Sequence, residues 1–366
     1  MNHIKEYNNF ITEALGIAEP TLYYVDICKT KAWDTILITI QDHDYVKVDK
    51  KYEAQLVIPF QEFRKHITDW NMFSYFPVSQ ILIDVTVEKK PVDKVKSSRM
   101  GTDIKFEVPF KVSAYASPFA RGRERAATRI MEPIRQNTDH SLSLHIGIDL
   151  IFSDNLDLDR HSNRLQLEIE STILHELNHL YEYYCRKMKG SKNMDLALTW
   201  TAIGDNRYRR KKELYDYWYR NFTYFIYLSE PHEIRAWVQE SKSYVDRLDF
   251  RSFQRTRMYK TPKYMKDWDY NTFISEFNRL CDRINPEYND TYIDVLIGDF
   301  IRNYSRIASE FKEEQMISSD KLKNMSREQF FEYWQKILNN AGDLMLRRMG
   351  RLYALKSSEE EKYEDF

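Results

Sequence analysis

Thr172-Ile-Leu-His-Glu-Leu-Asn-His-Leu180 carries two histidines four residues apart, with a glutamate directly after the first. On a helix, residues i and i+4 share a face, so His175 and His179 aim at one point. Two neutral imidazoles so placed suit a zinc ion, and Glu176 reaches a water bound to such an ion. The flanks set the local structure. Ile169, Ile173, Leu177, Leu180 and Tyr184 recur at intervals of three and four, which predicts a helix from Leu165 to about Lys187. Ser162 and Asn163 are its candidate caps, and both histidines fall in mid-helix.

Upstream lies the cleanest strand pattern in the chain. Leu142, Leu144, Ile146, Ile148, Leu150 and Phe152 alternate with Ser143, His145, Gly147 and Asp149, so one face is core and the other polar. A free edge on this strand is expected to offer backbone hydrogen bonds to an extended peptide. Two further alternating runs predict strands: Ile81, Ile83, Val85 and Val87, then Ile104, Phe106, Val108, Phe110 and Val112. The polar stretch 89–102 is expected to join them as a long hairpin loop. Pro109 lacks a backbone donor and places the second run at a sheet edge or bulge. Residues 118–136 predict a helix after Ser117, with Arg121, Arg123, Arg125 and Arg129 on a solvated face.

Nearer the N-terminus, residues 4–15 predict a short docking helix. Leu22–Ile27, Thr35–Ile40 and Gln55–Phe60 predict strands, the second too apolar for a surface. Asp42, His43 and Asp44 read as a solvated turn, because neighbours on an extended chain point in alternating directions. Gln61–Trp70 predicts a short helix.

Downstream, Gly204-Asp205-Asn206 predicts a turn, and 207–228 a helix that opens on Arg207, Arg209, Arg210, Lys211 and Lys212 and continues into tyrosines, phenylalanines and Trp218. Basic residues beside aromatics can bind single strands by charge and stacking. A solvated basic start with an aromatic core face is the preferred reading. Ser229 predicts the N-cap of a helix reaching about Leu248, with Pro231 tolerated in its first turn. Residues 249–270 read as polar and aromatic, with Pro262. Helices are predicted at 271–284, 290–313 and 326–355, the last opened by a capping box of Ser326 and Gln329, with a frayed acidic tail from Ser357.

The composition narrows the function classes. The chain has 366 residues, 26 tyrosines and 20 phenylalanines, enough for a large aromatic core. A formal net charge of -1 argues against nucleic acid or an anionic membrane as the main partner. Cys28, Cys185 and Cys281 are widely spaced and form no CxxC pair, which argues against a cysteine metal site or a disulfide framework. No apolar run reaches the ~20 residues of a membrane span, and the polar N-terminus lacks a signal-peptide core. A cytoplasmic location is expected.

The order of strand, HExxH helix and later helix with Glu233-Ile-Arg-Ala236 resembles the gluzincin branch of zinc metallopeptidases. That resemblance covers about residues 140–245. It implies that His175, His179 and Glu233 bind Zn2+, that Glu176 is the general base, and that a protein or peptide is the substrate. Glu230 and His232 compete with Glu233 as third ligand. His232, Tyr224 and Tyr227 are candidate donors to the transition-state oxyanion. Trp237 stands where many relatives carry an aspartate that supports a ligand histidine, so that support has to come from elsewhere. The metzincin extension is missing, since Leu180-Tyr-Glu follows His179. The first residues also resemble the start of some proteins of tailed bacteriophages, which implies assembly partners and a place in a virion. The expected fold is α+β: a zincin-like domain with a mixed sheet and an edge strand over the HExxH helix, and an additional C-terminal helical region. The expected domains are an N-terminal α/β extension (1–70), the zincin-like core (71–256) and the C-terminal helices (257–366).

Overall fold

The computed structural model describes residues 19–41, 47–59, 78–98, 105–117, 142–188, 212–284, 291–310 and 317–364. The helices expected at 4–15, 61–70 and 118–136, the turns at 42–44 and 204–206, and the basic run 207–211 lie outside them. The fold is mixed α and β, with mostly helical content around a four-stranded mixed sheet.

In chain order the elements are α1 (Glu19–Gln41), β1 (Lys51–Pro59), β2 (Val78–Lys90), β3 (Lys96–Ser98), β4 (Lys105–Glu107), β5 (Phe110–Ser117), β6 (Leu142–Ser153) and α2 (Leu158–Met188). There follow α3 (Lys212–Trp218), a π-helical turn (Tyr219–Thr223), α4 (Tyr224–Leu228), α5 (Pro231–Arg247), α6 (Phe250–Phe253), α7 (Arg257–Lys266), α8 (Tyr270–Ile284), α9 (Thr291–Glu310), α10 (Ser319–Lys323) and α11 (Arg327–Glu364). Two compact units emerge, one of residues 1–97, 105–190 and 235–247, the other of 98–104, 191–234 and 248–366. The division falls within α5, which is itself one unbroken helix.

The first unit holds the sheet, in the order β1-β2-β6-β5. β1 and β5 pair antiparallel with their neighbours, and β2 runs parallel to β6. The alternating residues behave as their period requires. Ile81, Ile83, Val85 and Val87 on β2 and Ile146, Ile148, Leu150 and Phe152 on β6 are buried under α1 and α2. Each such side chain contributes about 1.5–3 kcal/mol on leaving water.

The strand order overturns two expectations. β2 and β5 are not a hairpin, because β6 lies between them, and residues 92–98 form a 3₁₀ turn and a short strand instead of an open loop. The free edge expected on β6 is absent, since β6 is paired on both sides. The edge strand on that side is β5. Pro109 does break its run, splitting it into β4 and β5, as a residue without an N–H must.

The third correction is α1. The runs Leu22–Ile27 and Thr35–Ile40 were expected to be strands, and both belong to a single helix of 23 residues. Cys28, Ala32, Ile36 and Ile40 are fully buried at a spacing of four, while Ile38 is 66% exposed. β-Branched residues lower helix propensity only slightly, and burial of this stripe on the sheet outweighs that. The hydroxyls of Thr35 and Thr39 donate to the carbonyls four residues back, which satisfies them within the helix.

In the second unit, Phe222 lies among Trp218, Trp268, Phe273, Phe330 and Phe331, with ring centroids 4.7–5.8 Å away. The π-helical turn shapes this region. One extra residue in a turn rotates all that follows by about 100°. Tyr224 and Tyr227 thereby come onto the face that carries Tyr215 and Tyr219, and neighbouring rings in the row lie 6.2–6.4 Å apart. The wide turn also presents the Asn221 carbonyl to the indole N–H of Trp268, which donates to it at 2.8 Å.

The predicted helices at 271–284, 290–313 and 326–355 are present as α8, α9 and α11, and the capping box is formed in both directions by Ser326 and Gln329. Residues 250–253 and 257–266, assigned no element from the sequence, are helical, and α11 continues through the tail to Glu364.

Candidate metal centre

α2 begins at Leu158, earlier than expected, because Asp157 and not Ser162 or Asn163 caps it: Arg160 N–H donates to Asp157 Oδ1 at 3.1 Å. Leu165, Ile169, Ile173 and Leu177 bury one side of the helix. His175 and His179 sit on the next strip, partly exposed, one turn apart. Their Nε2 atoms face each other at 3.0 Å, with ring planes at 80°. Two imidazoles on one tetrahedral zinc, each about 2.0–2.1 Å from it, bring their nitrogens to about 3.3 Å. The pair is therefore within a few tenths of an ångström of that spacing.

α5 brings the third group. Its N-terminus differs from expectation: Ser229 closes the preceding helix, donating its hydroxyl to Ile226 O at 2.6 Å, with backbone dihedrals in the helical region. Glu230 holds the cap position, and its carbonyl accepts from Ile234 N–H. Glu233 lies in the first turn and is 1% exposed. One nitrogen from each histidine and one carboxylate oxygen of Glu233 all lie within 4.8 Å of one another. Among the described residues this is the group of three that could hold a metal ion. Glu230 and His232, the competitors for third ligand, are not in it.

Two contacts fix α5 against α2. The Nδ1–H of His175 donates to Glu240 Oε2 at 3.1 Å. Farther on, Arg247 pairs with the buried Glu170. Residue numbers rise along α5 as they fall along α2, so the helices run antiparallel. Ala236, fully buried between Glu233 and Glu240, keeps this face of α5 small. A carboxylate accepts only, so the Glu240 bond fixes His175 as the Nδ1–H tautomer and leaves the Nε2 lone pair for a metal. Sequence reading missed Glu240. Its signal was an acid seven residues after Glu233, two turns along the same face.

The other predicted residues are placed as follows. Glu176 is buried, 7% exposed, on α2 beside His175. His232 is 3% exposed, its Nε2 lying 3.3 Å from Glu230 Oε2 and 3.4 Å from Glu233 Oε1. Tyr224 and Tyr227 stand in the tyrosine row. Within that row, burial pushes the Tyr219 phenol well above its ordinary range, with Tyr224 and Tyr215 adding to the shift.

The donor set fits zinc: two imidazole nitrogens and a carboxylate, with a carboxylate behind one histidine. Magnesium and calcium favour all-oxygen sets. No helix of the described residues is long and apolar enough to cross a membrane. No protein-family model matches the chain, and neither curated proteins nor solved structures give a match.

Proposed function

We propose that this chain is a zinc-dependent peptidase with a zincin-like core, in which His175, His179 and Glu233 are the ligands and Glu176 the general base. The observation that carries it is the convergence of those three side chains, from two helices far apart in sequence, on one point. Bound zinc would supply a Lewis acid and lower the pKa of its water toward neutrality. Glu176, one residue from the first ligand, accepts the proton of the attacking water and returns it to the leaving nitrogen. Glu240 keeps His175 in the ligating tautomer throughout.

β5 offers the substrate its backbone partners. Phe110, at the start of β5, packs edge-on to His161 and lies under the Arg164 guanidinium at 5.2 Å. α2 turns back from β6 through four residues and so runs in the same direction as β5. From Arg164 to the histidine pair is about 17–22 Å along the helix, and β5 extends about 23 Å from Phe110 to Ser117. The two spans are of similar length from their shared contact at Phe110 and Arg164. An extended peptide paired with the β5 edge would bring a carbonyl to the histidines.

The test is metal analysis joined to proteolysis of an unfolded protein substrate. The wild type should carry one zinc per chain and cleave. Glu176→Gln should keep the metal and lose rate by on the order of 10²–10⁴. Zinc without cleavage of any protein would reduce the site to a metal-braced scaffold of structural or assembly use. A chain without zinc would remove both readings.

A further inference from the structure

We infer that the second unit carries a binding surface for single-stranded nucleic acid, built where α7 and the C-terminal half of α11 lie side by side. The inference stands apart from the metal site. Residues 250–266, which hold α6 and α7, contain Arg251, Arg255, Arg257, Lys260, Lys263 and Lys266 and no acid. Along α11, residues 343–356 add Arg347, Arg348, Arg351 and Lys356 against one acid, Asp343. All of them belong to one compact unit. The whole chain is close to neutral, at -1, so this density is local. Local charge is what a ligand meets, because exposed charges are screened beyond about 8 Å at physiological salt. Glu359, Glu360 and Glu361 follow on the same helix, but at 1.5 Å per residue they begin about 12 Å past Arg351.

The cations of the two helices reach one surface. α11 passes α7 in the antiparallel sense: Gly342 meets Pro262 and Lys266, and farther along Tyr353 packs on Phe253 and Phe250, which precede α7. On α7, Tyr259, Lys263 and Lys266 are spaced by four and three, so they share one strip of the helix. On α11, Asp343, Arg347, Gly350 and Arg351 form another. Lys266 donates to Asp343 at 2.8 Å, which joins the strips edge to edge. Asp343 lies between two cations, since Arg347 approaches it at 2.9 Å as well. Lys263, Lys266, Arg347 and Arg351 are all exposed. Gly350 is exposed too, and a Cβ on it would meet nothing within 4 Å, so the strip has an open floor.

Rings stand beside these cations. Phe250 is 45% exposed and lies T-shaped to Tyr353 at 5.1 Å and to Tyr259 at 6.1 Å. An exposed ring held among cations suits a strand whose phosphates meet Lys and Arg and whose bases stack on aromatic faces. Only unpaired bases are free to stack in this way. A membrane surface would need an apolar helix face, whereas the exposed positions of α7 are Arg257, Lys260, Lys263 and Lys266.

The test is fluorescence anisotropy of a labelled poly-dT strand of about 20 nucleotides, titrated with the full chain at several NaCl concentrations. Four cations on phosphates predict that log K falls against log salt with a slope of about -3, at about -0.7 per contact. Lys263→Gln and Arg351→Gln should each weaken binding several-fold and make the slope shallower by about 0.7. Phe250→Leu keeps an apolar side chain on Tyr353 and loses the ring; it should weaken binding on the order of 10-fold with the slope unchanged. Arg302→Gln, at an exposed position of α9, should leave both unchanged. Circular dichroism checks the fold of each variant, and the two exposed cation variants carry the test should Phe250→Leu fail to fold. A wild type that binds no strand at low salt would overturn the surface. A loss in Arg302→Gln equal to that in Lys263→Gln and Arg351→Gln would overturn it as well, as an effect of bulk charge. Equal affinity for a duplex of the same length, or tighter binding to phosphatidylserine vesicles than to the strand, would overturn the single strand as the partner.

Discussion

Glu240 Oε2 lies 3.1 Å from His175 Nδ1, two helical turns beyond Glu233 on the same face of one helix. A single helix thus carries both Glu233, a proposed ligand, and the carboxylate that orients His175. Trp237, where the resembling family carries its supporting aspartate, is 2% exposed and part of the core. Support for the histidine comes from the next turn. Glu240→Ala should weaken zinc binding by about 10–100-fold, and Glu240→Gln by less, since an amide oxygen still accepts from Nδ1–H. Chelator competition measures both. Equal affinities in all three proteins would make Glu240 a bystander.

Metal removal should also be visible as lost stability. A ligand that binds only the folded state adds about 2.7 kcal/mol at one hundred times its dissociation constant. Thermal unfolding in saturating zinc should therefore exceed that in chelator by several degrees. The difference should vanish in Glu233→Ala, which removes a proposed ligand. A persistent zinc effect in that variant would place the stabilising ion elsewhere.

How far the chain could be read in advance depended on whether one element or several decided the outcome. The histidine pair needed only the pitch of one helix. β6 needed only its own alternation, six apolar residues at period two, and it is the strand that sequence placed best. α1 failed because its β-branched residues favour strands locally, whereas its burial was decided by a sheet whose strands come later in the chain. The stripe Cys28, Ala32, Ile36, Ile40 was present, and tertiary packing selected it. The edge strand failed for the same kind of reason. Which strand is outermost depends on β2 pairing in parallel with β6, across residues 91–141, and periodicity carries no information about partners. Glu240 was legible in principle, as the acid two turns below Glu233 on a face otherwise apolar.

Gly342 lies where α11 packs closely on α7. A Cβ there would lie 2.4 Å from both Pro262 O and Lys266 N, which are backbone atoms and cannot swing aside. Asn339, one turn earlier, donates to the carbonyls of Met265 and Trp268 at 3.0 Å, so α7 is held in place as well as close. Gly342→Ala should cost about 1–3 kcal/mol by urea unfolding. Gly350→Ala, on the same helix with nothing within 4 Å, should instead add about 0.5–1 kcal/mol through the helix preference of alanine. A stabilised Gly342→Ala would mean that α7 and α11 do not meet at this distance.

The π-helical turn depends on Trp268 for its Asn221 carbonyl. Trp268→Phe keeps most of the ring packing on Phe222 and Phe273 but removes the indole donor. Asn221 is 1% exposed, so the carbonyl would lose a partner away from water, at a cost of about 1–3 kcal/mol. Amide hydrogen exchange should rise first in residues 219–228, ahead of α8 and α11. Uniform acceleration across the second unit would instead assign the loss to core packing alone.

Cys28 offers a chemical test of α1. Burial pushes its thiol far above the usual range, and the opposing pull of Lys31 is smaller. The thiolate is the reacting species, so the folded protein should leave Cys28 unalkylated while a free cysteine peptide reacts to completion. Between pH 7 and 8 an exposed thiol below its pKa gains about tenfold in rate per unit. Cys28 in the folded chain should react far more slowly than the peptide across that range, and should react at the peptide rate once urea unfolds it. Peptide mapping by mass separates it from Cys185 and Cys281. Labelling of native Cys28 at the free-thiol rate would mean that α1 does not stay packed on β1, β2 and α2, and the floor beneath the histidine helix would have to be built from other residues.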